Sequence, residues 1–259
     1  MRKILAIAGS DCSGGAGIQA DLKTITSHKM YGMSVITALT AQNTTGVFGV
    51  MESTPEFAAK QLDAVFSDIY PDAVKIGMVS SKKLIEVIAE KLIEYKAKNI
   101  VLDPVMISTS GTKLLNDDSI ETLKNILMPL ADIITPNIPE AECLSGIKIR
   151  NKQHMEEAAL KILEDFPGHI LIKGGHLEDS SDDLLCCDGM FFWYNHEKVK
   201  NNNIHGTGCT LSSAIACSLA DGFTVSESIF NAKNYLIGAL NYNLNLGKGR
   251  GPLNHCWNL

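Results

Sequence analysis

Short apolar runs alternate with amphipathic stretches along almost the whole chain, and no other feature constrains the fold as tightly. Residues 3–8 read as a buried strand, followed by a glycine-rich turn and a helical pattern over 18–27. Residues 34–41 are β-branched and apolar, and 56–67 set Phe57, Leu62 and Val65 on one side of a helix. Further strands are expected at 73–76, 99–105, 133–135 and 170–173, with helices at 82–95, 118–127 and 155–163. Strands spaced by such helices form βαβ units, and hence a parallel sheet covered on both faces. One antiparallel departure is expected late, where 184–187 and 190–194 flank Asp188-Gly189, a two-residue hairpin turn. Helices over 210–219 and 226–244 follow, then a glycine-rich basic tail, 247–252, read as mobile. Neither linker nor repeat interrupts the 259 residues, so one α/β domain over 1–259 is expected.

Composition narrows the partners. A net charge of −6 argues against binding a nucleic-acid backbone. It leaves room for a phosphorylated metabolite held by local amides and one lysine. No apolar run approaches the roughly 18–20 residues that cross a bilayer, and the apolar start stops at Gly9-Ser10-Asp11, short of a signal sequence. No membrane partner is expected. Seven cysteines, without a CxxC pair, point to a reducing cytoplasm and away from a disulfide frame or zinc site. Adjacent Cys186 and Cys187 read as small buried hydrophobes.

Ligands of open parallel sheets bind beyond the carboxyl ends of the strands, so the loops there carry the chemistry. After the first strand, Gly9 to Gly17 opens a helix containing Asp21. Gly15-x-Gly17-x-x-Ala20 formally fits a dinucleotide fingerprint, but no acidic residue ends the second strand near position 40. Backbone lying close against a small ligand, or a plain tight turn, fits better. Thr40-Ala41-Gln42-Asn43-Thr44 follows the second strand, and the Gln42 amide can pair with a ring bearing an amino group beside a ring nitrogen. Met78, at the next strand end, could cover an aromatic ligand or simply pack in the core.

Asp103-Pro104-Val105 and Asn137-Ile138-Pro139-Glu140 put carboxylates at two strand ends. That suits hydrated Mg²⁺, which needs only one or two carboxylates beside phosphate oxygens. Glu140 could equally serve the dipole of its own helix. Lys173-Gly174-Gly175-His176 sets a cation beside approachable backbone, as a nucleotide phosphate requires. The sharpest segment is His205-Gly206-Thr207-Gly208-Cys209-Thr210-Leu211-Ser212, before an apolar helix. Its glycines let amides converge at a helix N-terminus, making an anion hole for a transferring phosphoryl group. Cys209 in that field is expected to have a lowered thiol pKa. Gly247-Lys248-Gly249 lacks the Ser/Thr and upstream glycine of a Walker A loop.

In their order these motifs are specific. Ala8-Gly9-Ser10-Asp11, Ser13 through Thr24, Tyr31-Gly32-Met33, Ala38 through Thr44, Lys75-Ile76-Gly77-Met78, Asp103 through Met106, Thr135 through Glu142, Lys173 through His176 and His205 through Ser212 run end to end. Together they resemble the hydroxymethylpyrimidine/phosphomethylpyrimidine kinases of thiamine biosynthesis, in the ribokinase superfamily. The resemblance implies a three-layer α/β/α fold with a mainly parallel sheet. It implies ATP and Mg²⁺ as cofactors, phosphorylation of the pyrimidine alcohol and then of its monophosphate, and a cytoplasmic homodimer. It implies Gln42 as the pyrimidine-amide contact, with Asp21, Gly9, Ala16, Thr40, Met78 and Val105 lining the substrate pocket. Asp103, Asn137 and Glu140 would serve the metal, and Lys173, Thr207 and Gly208 the nucleotide. Cys209, with Gly206, Gly208 and Lys173, would carry the catalysis. Cys12 stands where this family commonly has proline, and Asn201-Asn202-Asn203-Ile204 precedes His205 where a shorter Asn-Thr is usual. A pyridoxal kinase on the same scaffold is the nearest rival, and Gln42 argues for the aminopyrimidine. A ligand sensor without turnover has no use for a carboxylate pair and an anion hole together, and a nicotinamide oxidoreductase lacks its ribose carboxylate.

Overall fold

The structure, a computed structural model, describes residues 1–106, 115–175, 182–195 and 201–259. His176 of the lysine motif lies outside the described residues. Nine strands form a single sheet among the described residues: β1 (Lys3–Asp11), β2 (Tyr31–Asn43), β3 (Gly46–Glu52), β4 (Ala73–Ile76), β5 (Ile100–Leu102), β6 (Ile133–Ile134), β7 (His169–Ile172), β8 (Asp183–Cys187) and β9 (Met190–Tyr194). Their spatial order is β3-β2-β1-β4-β5-β6-β7-β8-β9. The central pairs from β2 to β7 are parallel, and the pairs β2–β3, β7–β8 and β8–β9 are antiparallel.

Both faces of the sheet are covered, which is why its inner strands read as unbroken apolar runs. Successive side chains point to opposite faces. Leu5, Ile7, Val74, Ile76, Leu102, Ile134, Ile170 and Ile172 meet Leu62 of α2 (Pro55–Phe66), Ile85 of α3 (Lys82–Glu94), Ala141 of α5 (Ile138–Ser145) and Met155 of α6 (Lys152–Leu163). Their neighbours Ile4, Ala6, Ala8, Ala73, Val101, Ile133 and Leu171 meet Ile25 of α1 (Gly17–Ser27), Ile215 of α7 (Thr207–Ala220) and Ile229 of α8 (Val225–Asn241). The result is the α/β/α sandwich expected from the alternation.

Several boundaries differ from the sequence reading. Residues 40–43 belong to β2 rather than to a loop after it, because the strand runs on to pair with β3. That edge hairpin was not expected: β3 buries neither face, so its sequence shows no period-two signal. The late hairpin does turn at Asp188-Gly189, with φ of +51° and +72°, the two positive values that a right-twisted two-residue turn requires. The helix expected over 118–127 is α4 (Asp117–Thr122) running into a wider π-helical turn, Leu123–Leu127. The segment 247–252 is held, not loose. Thr44 Oγ1 accepts from the Lys248 and Gly249 amides, each at 3.1 Å, and the Gly251 carbonyl accepts from the His205 amide at 3.1 Å. No helix among the described residues is long and apolar enough to cross a membrane.

Leu62 is fully buried at the α2 contact with the sheet. Leu62→Ala is expected to cost about 2–5 kcal/mol, read from urea unfolding with an unchanged m-value.

Candidate active site

The ends of β1, β2, β4, β5, β6 and β7 converge on the N-terminus of α7. Asp11, the last residue of β1, organises the first wall. Its Oδ1 accepts from Ser13 N at 2.9 Å and Ser13 Oγ at 2.7 Å, and its Oδ2 accepts from Gly15 N at 3.1 Å and Ala16 N at 2.9 Å. His205 Nε2 lies 2.8 Å from the same Oδ2. Burial pushes the Asp11 carboxyl up, but these hydrogen bonds, His205 and Ser13 foremost, outweigh it and hold it well below the usual carboxylate range. Glycine is obligatory at two points here. Gly17 has φ +54° and a side chain on it would strike the Gly9 carbonyl; Gly206 has φ +86° and would strike the Gly15 carbonyl. The first glycine loop and the anion-hole turn therefore pack main chain against main chain.

Gly206 caps α7, so Thr207, Gly208 and Cys209 form its first turn instead of a preceding loop. The helix starts at Thr207 rather than Thr210 because the left-handed Gly206 reverses the chain one step earlier than the apolar pattern suggests. A Cβ on Gly208 would stand 3.2 Å from Asp103 Oδ2 and 3.4 Å from Lys173 Nζ. The first turn of α7 thus faces the charged pair Asp103–Lys173 just beyond the ends of β5 and β7. Lys173 Nζ reaches Asp103 Oδ1 at 2.7 Å, and Thr135 Oγ1 donates to the same oxygen at 3.2 Å. Burial draws the Lys173 ammonium down, yet Asp103 and Glu140 raise it overall, so it stays a cation.

Asn137 and Glu140 form a capping box on α5. Asn137 Oδ1 accepts from Glu140 N at 2.9 Å, and Glu140 Oε2 accepts from Asn137 N at 2.8 Å. The capping box gives Glu140 its place at the N-terminal dipole of α5. Burial pushes the Glu140 carboxyl up to about 7, with the like charge of Asp103 adding to it and Lys173 opposing.

Most of the residues expected to line a substrate pocket lie at β1, β2 and β4. Met78 lies over Gly9, its Cε 2.5 Å from where a Cβ would be. Thr40 Oγ1 donates to the Ser10 carbonyl at 2.9 Å. Gln42 is half-buried with its amide between Thr40 and His205, and its main chain exchanges hydrogen bonds with the Cys12 sulfur at 3.1 and 3.2 Å. Cys12 thus ties the first loop to β2 where the family's usual proline has no donor to give. Ala16 caps α1 and Val105 is half-buried just beyond β5. Asp21 is placed differently from a pocket wall. It is wholly enclosed, receiving Lys75 Nζ at 2.8 and 2.9 Å and Ser213 Oγ at 2.8 Å.

Cys209 departs from expectation in its acidity. Burial pushes its thiol up to about 11; Lys75 draws it down, while Asp21 and Asp103 push it further up. The helix terminus favours the thiolate, but removal from water and two nearby carboxylates outweigh one dipole end. Sequence reasoning missed Asp11, His205 and Lys75 as functional side chains. Lys75 could have been found, since a lysine inside the buried run Ala73–Ile76 needs an acidic partner. Asp11 two residues before Ser13 is an Asx-turn pattern, whereas its bond to His205 joins positions too far apart to be read locally.

Two outcomes test this description. Cys209 should alkylate with iodoacetamide far more slowly than exposed Cys12 at pH 8 and accelerate as pH rises toward 11, as followed by peptide mass spectrometry. Lys75→Met, which leaves Asp21 buried and unpaired, is expected to destabilise the fold by about 3–5 kcal/mol in urea unfolding.

The sequence profile of the phosphomethylpyrimidine kinase family matches residues 11–254. The thiamine biosynthesis bifunctional protein ThiED of Geobacter sulfurreducens is 48% identical over 97% of this chain, and the chain spans about half, 52%, of that protein's length. The hydroxymethylpyrimidine/phosphomethylpyrimidine kinase of Bacillus subtilis is 44% identical over 98% of this chain and 94% of its own. Among solved structures, phosphomethylpyrimidine kinase from Clostridium difficile 630 has a TM-score of 0.84 at 50% identity, covering 92% of this chain and 99% of that one. An ADP complex of Bacillus subtilis pyridoxal kinase has a TM-score of 0.90 at 35% identity, covering 98% and 97%. With such matches spanning the glycine loops, the carboxylate pair and the anion hole alike, the chain belongs to the phosphomethylpyrimidine kinase family.

Proposed function

We propose that the chain transfers the γ-phosphoryl group of ATP to 4-amino-5-hydroxymethyl-2-methylpyrimidine, and then to the monophosphate so formed, for thiamine biosynthesis. The observation that carries this reading is the meeting of Gly208 with Asp103 and Lys173. An anion hole, a fixed cation and a carboxylate share one point at the sheet's carboxyl edge. Family membership supports ATP as the phosphoryl donor. Gln42 supports the aminopyrimidine over pyridoxal, since its amide can pair with both an amino group and a ring nitrogen.

Phosphoryl transfer is loose at its transition state, so positioning and charge neutralisation dominate. Lys173 and the amides of Thr207, Gly208 and Cys209 hold the migrating group, with Gly206 shaping the turn. The residues fit a magnesium ion. Asp103 Oδ2 faces the anion hole while Oδ1 takes Lys173 and Thr135, and Glu140 is driven toward protonation by burial beside Asp103, a charge conflict that a cation relieves. Asp103 and Glu140 would hold it through its waters, with Asn137 positioning Glu140. Magnesium bound there supplies positive charge to the phosphate oxygens. Cys209 takes the alcohol's proton in its minor thiolate form, whose charge Lys75 and the helix terminus balance.

The same reading takes a second copy of this chain as partner. Edge strand β3 exposes Phe48 at 70% and Met51 at 63%, with Val47 and Val50 beside them, surface that a lone edge strand seldom leaves bare. Light scattering should then report a dimer that Phe48→Lys weakens.

A coupled ATP assay on one sample should show turnover with the aminopyrimidine alcohol and its monophosphate, and far less with pyridoxal. ATP consumption independent of the aminopyrimidine would sink the reading. Cys209→Ala is expected to lower turnover about 10²–10⁴-fold. For the wild type, kcat/KM should climb between about pH 7 and 10 as the thiolate fraction grows, and this climb should vanish in the variant.

A further inference from the structure

A carboxamide has one accepting and one donating end, and the surroundings of Gln42 decide which end points where. The structure sets the Gln42 amide nitrogen 3.2 Å from His205 Nε2, and the amide oxygen 3.3 Å from Thr40 Oγ1. His205 Nε2 is also 2.8 Å from Asp11 Oδ2. That carboxylate oxygen already accepts from the Gly15 and Ala16 amides, so what His205 brings to it is an N–H. This holds for the neutral and the protonated imidazole alike. A ring nitrogen that carries hydrogen has no lone pair for a second donor, so an amide NH₂ at 3.2 Å would set two donors face to face. On the other side, Thr40 commits its single hydroxyl proton to the Ser10 carbonyl and can only accept. A half-turn of the carboxamide removes both conflicts: its NH₂ meets the Thr40 Oγ1 lone pair, and its oxygen shares the His205 Nε2–H with Asp11 Oδ2. Amide ends are assigned by such networks.

We infer that the Asp11–His205 pair is a positioning device that locks the Gln42 carboxamide with its oxygen on the His205 side, and so dictates which way round an aminopyrimidine binds. This rests on the substrate proposed above. The amino-substituted edge of such a ring offers an exocyclic N–H next to a ring-nitrogen lone pair. The locked amide accepts the first on the His205 side and donates to the second on the Thr40 side. In the proposed substrate the hydroxymethyl arm is carried by the carbon adjoining the amino-bearing one, on the side away from that ring nitrogen. Placing the amino group toward His205 therefore puts the arm on the His205 side of the ring. The opposite amide orientation turns the ring over and puts the arm on the Thr40 side. Neither His205 nor Asp11 need touch the reacting atoms.

The test compares the aminopyrimidine alcohol with its analogue lacking the amino group, 5-hydroxymethyl-2-methylpyrimidine, at saturating Mg-ATP. Wild type should prefer the amino compound in kcat/KM by about 10²-fold or more, since an unmade buried hydrogen bond discriminates strongly. His205→Leu, which frees the amide to turn, should cut that preference at least about tenfold, with KM for the amino compound rising as its kcat falls. His205→Gln, whose side-chain NH₂ reaches where Nε2–H stood, should keep the preference within about threefold. In parallel, two-bond ¹H–¹⁵N spectra of histidine-labelled wild type should place a proton on His205 Nε2. An unaltered preference in His205→Leu despite slower turnover on both compounds, or a ring protonated on Nδ1 alone, overturns the inference. Should His205→Leu not fold, the glutamine variant and the spectra decide. A wild type that ignores the aminopyrimidine altogether refutes the substrate assignment instead, and the spectra then still report on the amide.

Discussion

The carboxylate of Asp11 is the contact on which the site's geometry hangs. It ends β1, which is paired in parallel on both sides, and gathers the amides of Ser13, Gly15 and Ala16 into a turn. Through His205 it then fastens that turn to the segment leading into α7. Charge-assisted hydrogen bonds to an ionised acceptor are among the stronger local interactions available. Here one of them spans residues separated by most of the chain. With the carboxylate in place, the glycine contacts become intelligible. Gly17 approaches the Gly9 carbonyl, and Gly206 the Gly15 carbonyl, because neither Gly17 nor Gly206 carries a Cβ.

A second buried charge pair supports the same region from below. Lys75 and Asp21 are both wholly enclosed, with Ser213 of α7 completing the acceptor. A buried ion pair is weak grounds for stability in itself, because desolvation consumes much of its attraction. Its position gives it another consequence. Lys75 is the cation that offsets burial at Cys209, while Asp21 and Asp103 act against ionisation there. The thiol is therefore held protonated and adds no negative charge at the helix terminus.

The layered fold was legible because both faces of the central strands are buried and their helices carry an apolar stripe. Residues 3–8, 73–76 and 170–173 could scarcely be anything else. Strand β3 was not, since Phe48, Val50 and Met51 face outward and leave no periodic trace. The start of α7 was misplaced because glycine and threonine read as loop, although a left-handed Gly206 begins the helix at once. Within the site, residue types at strand ends announced Lys173, Asp103, Glu140 and the Gly206–Cys209 turn. Contacts between distant segments were hidden. Nothing local tells that Asp21 answers Lys75, that His205 answers Asp11, or that the basic tail is pinned by Thr44.

The acidity of Cys209 shows why such contacts matter more than motifs for the chemistry. A helix N-terminus lowers a thiol pKa when the sulfur keeps its water, and the motif alone invites that conclusion. Burial reverses it here, because the free energy of removing a thiolate from water exceeds what half a unit of dipole charge returns. The reversal also arranges the site's charges in sequence. With the thiol neutral and Glu140 drawn toward protonation, Lys173 is left with Asp103 as its one close carboxylate. Protons on Cys209 and Glu140 thus lower the negative charge gathered around Asp103 and Lys173.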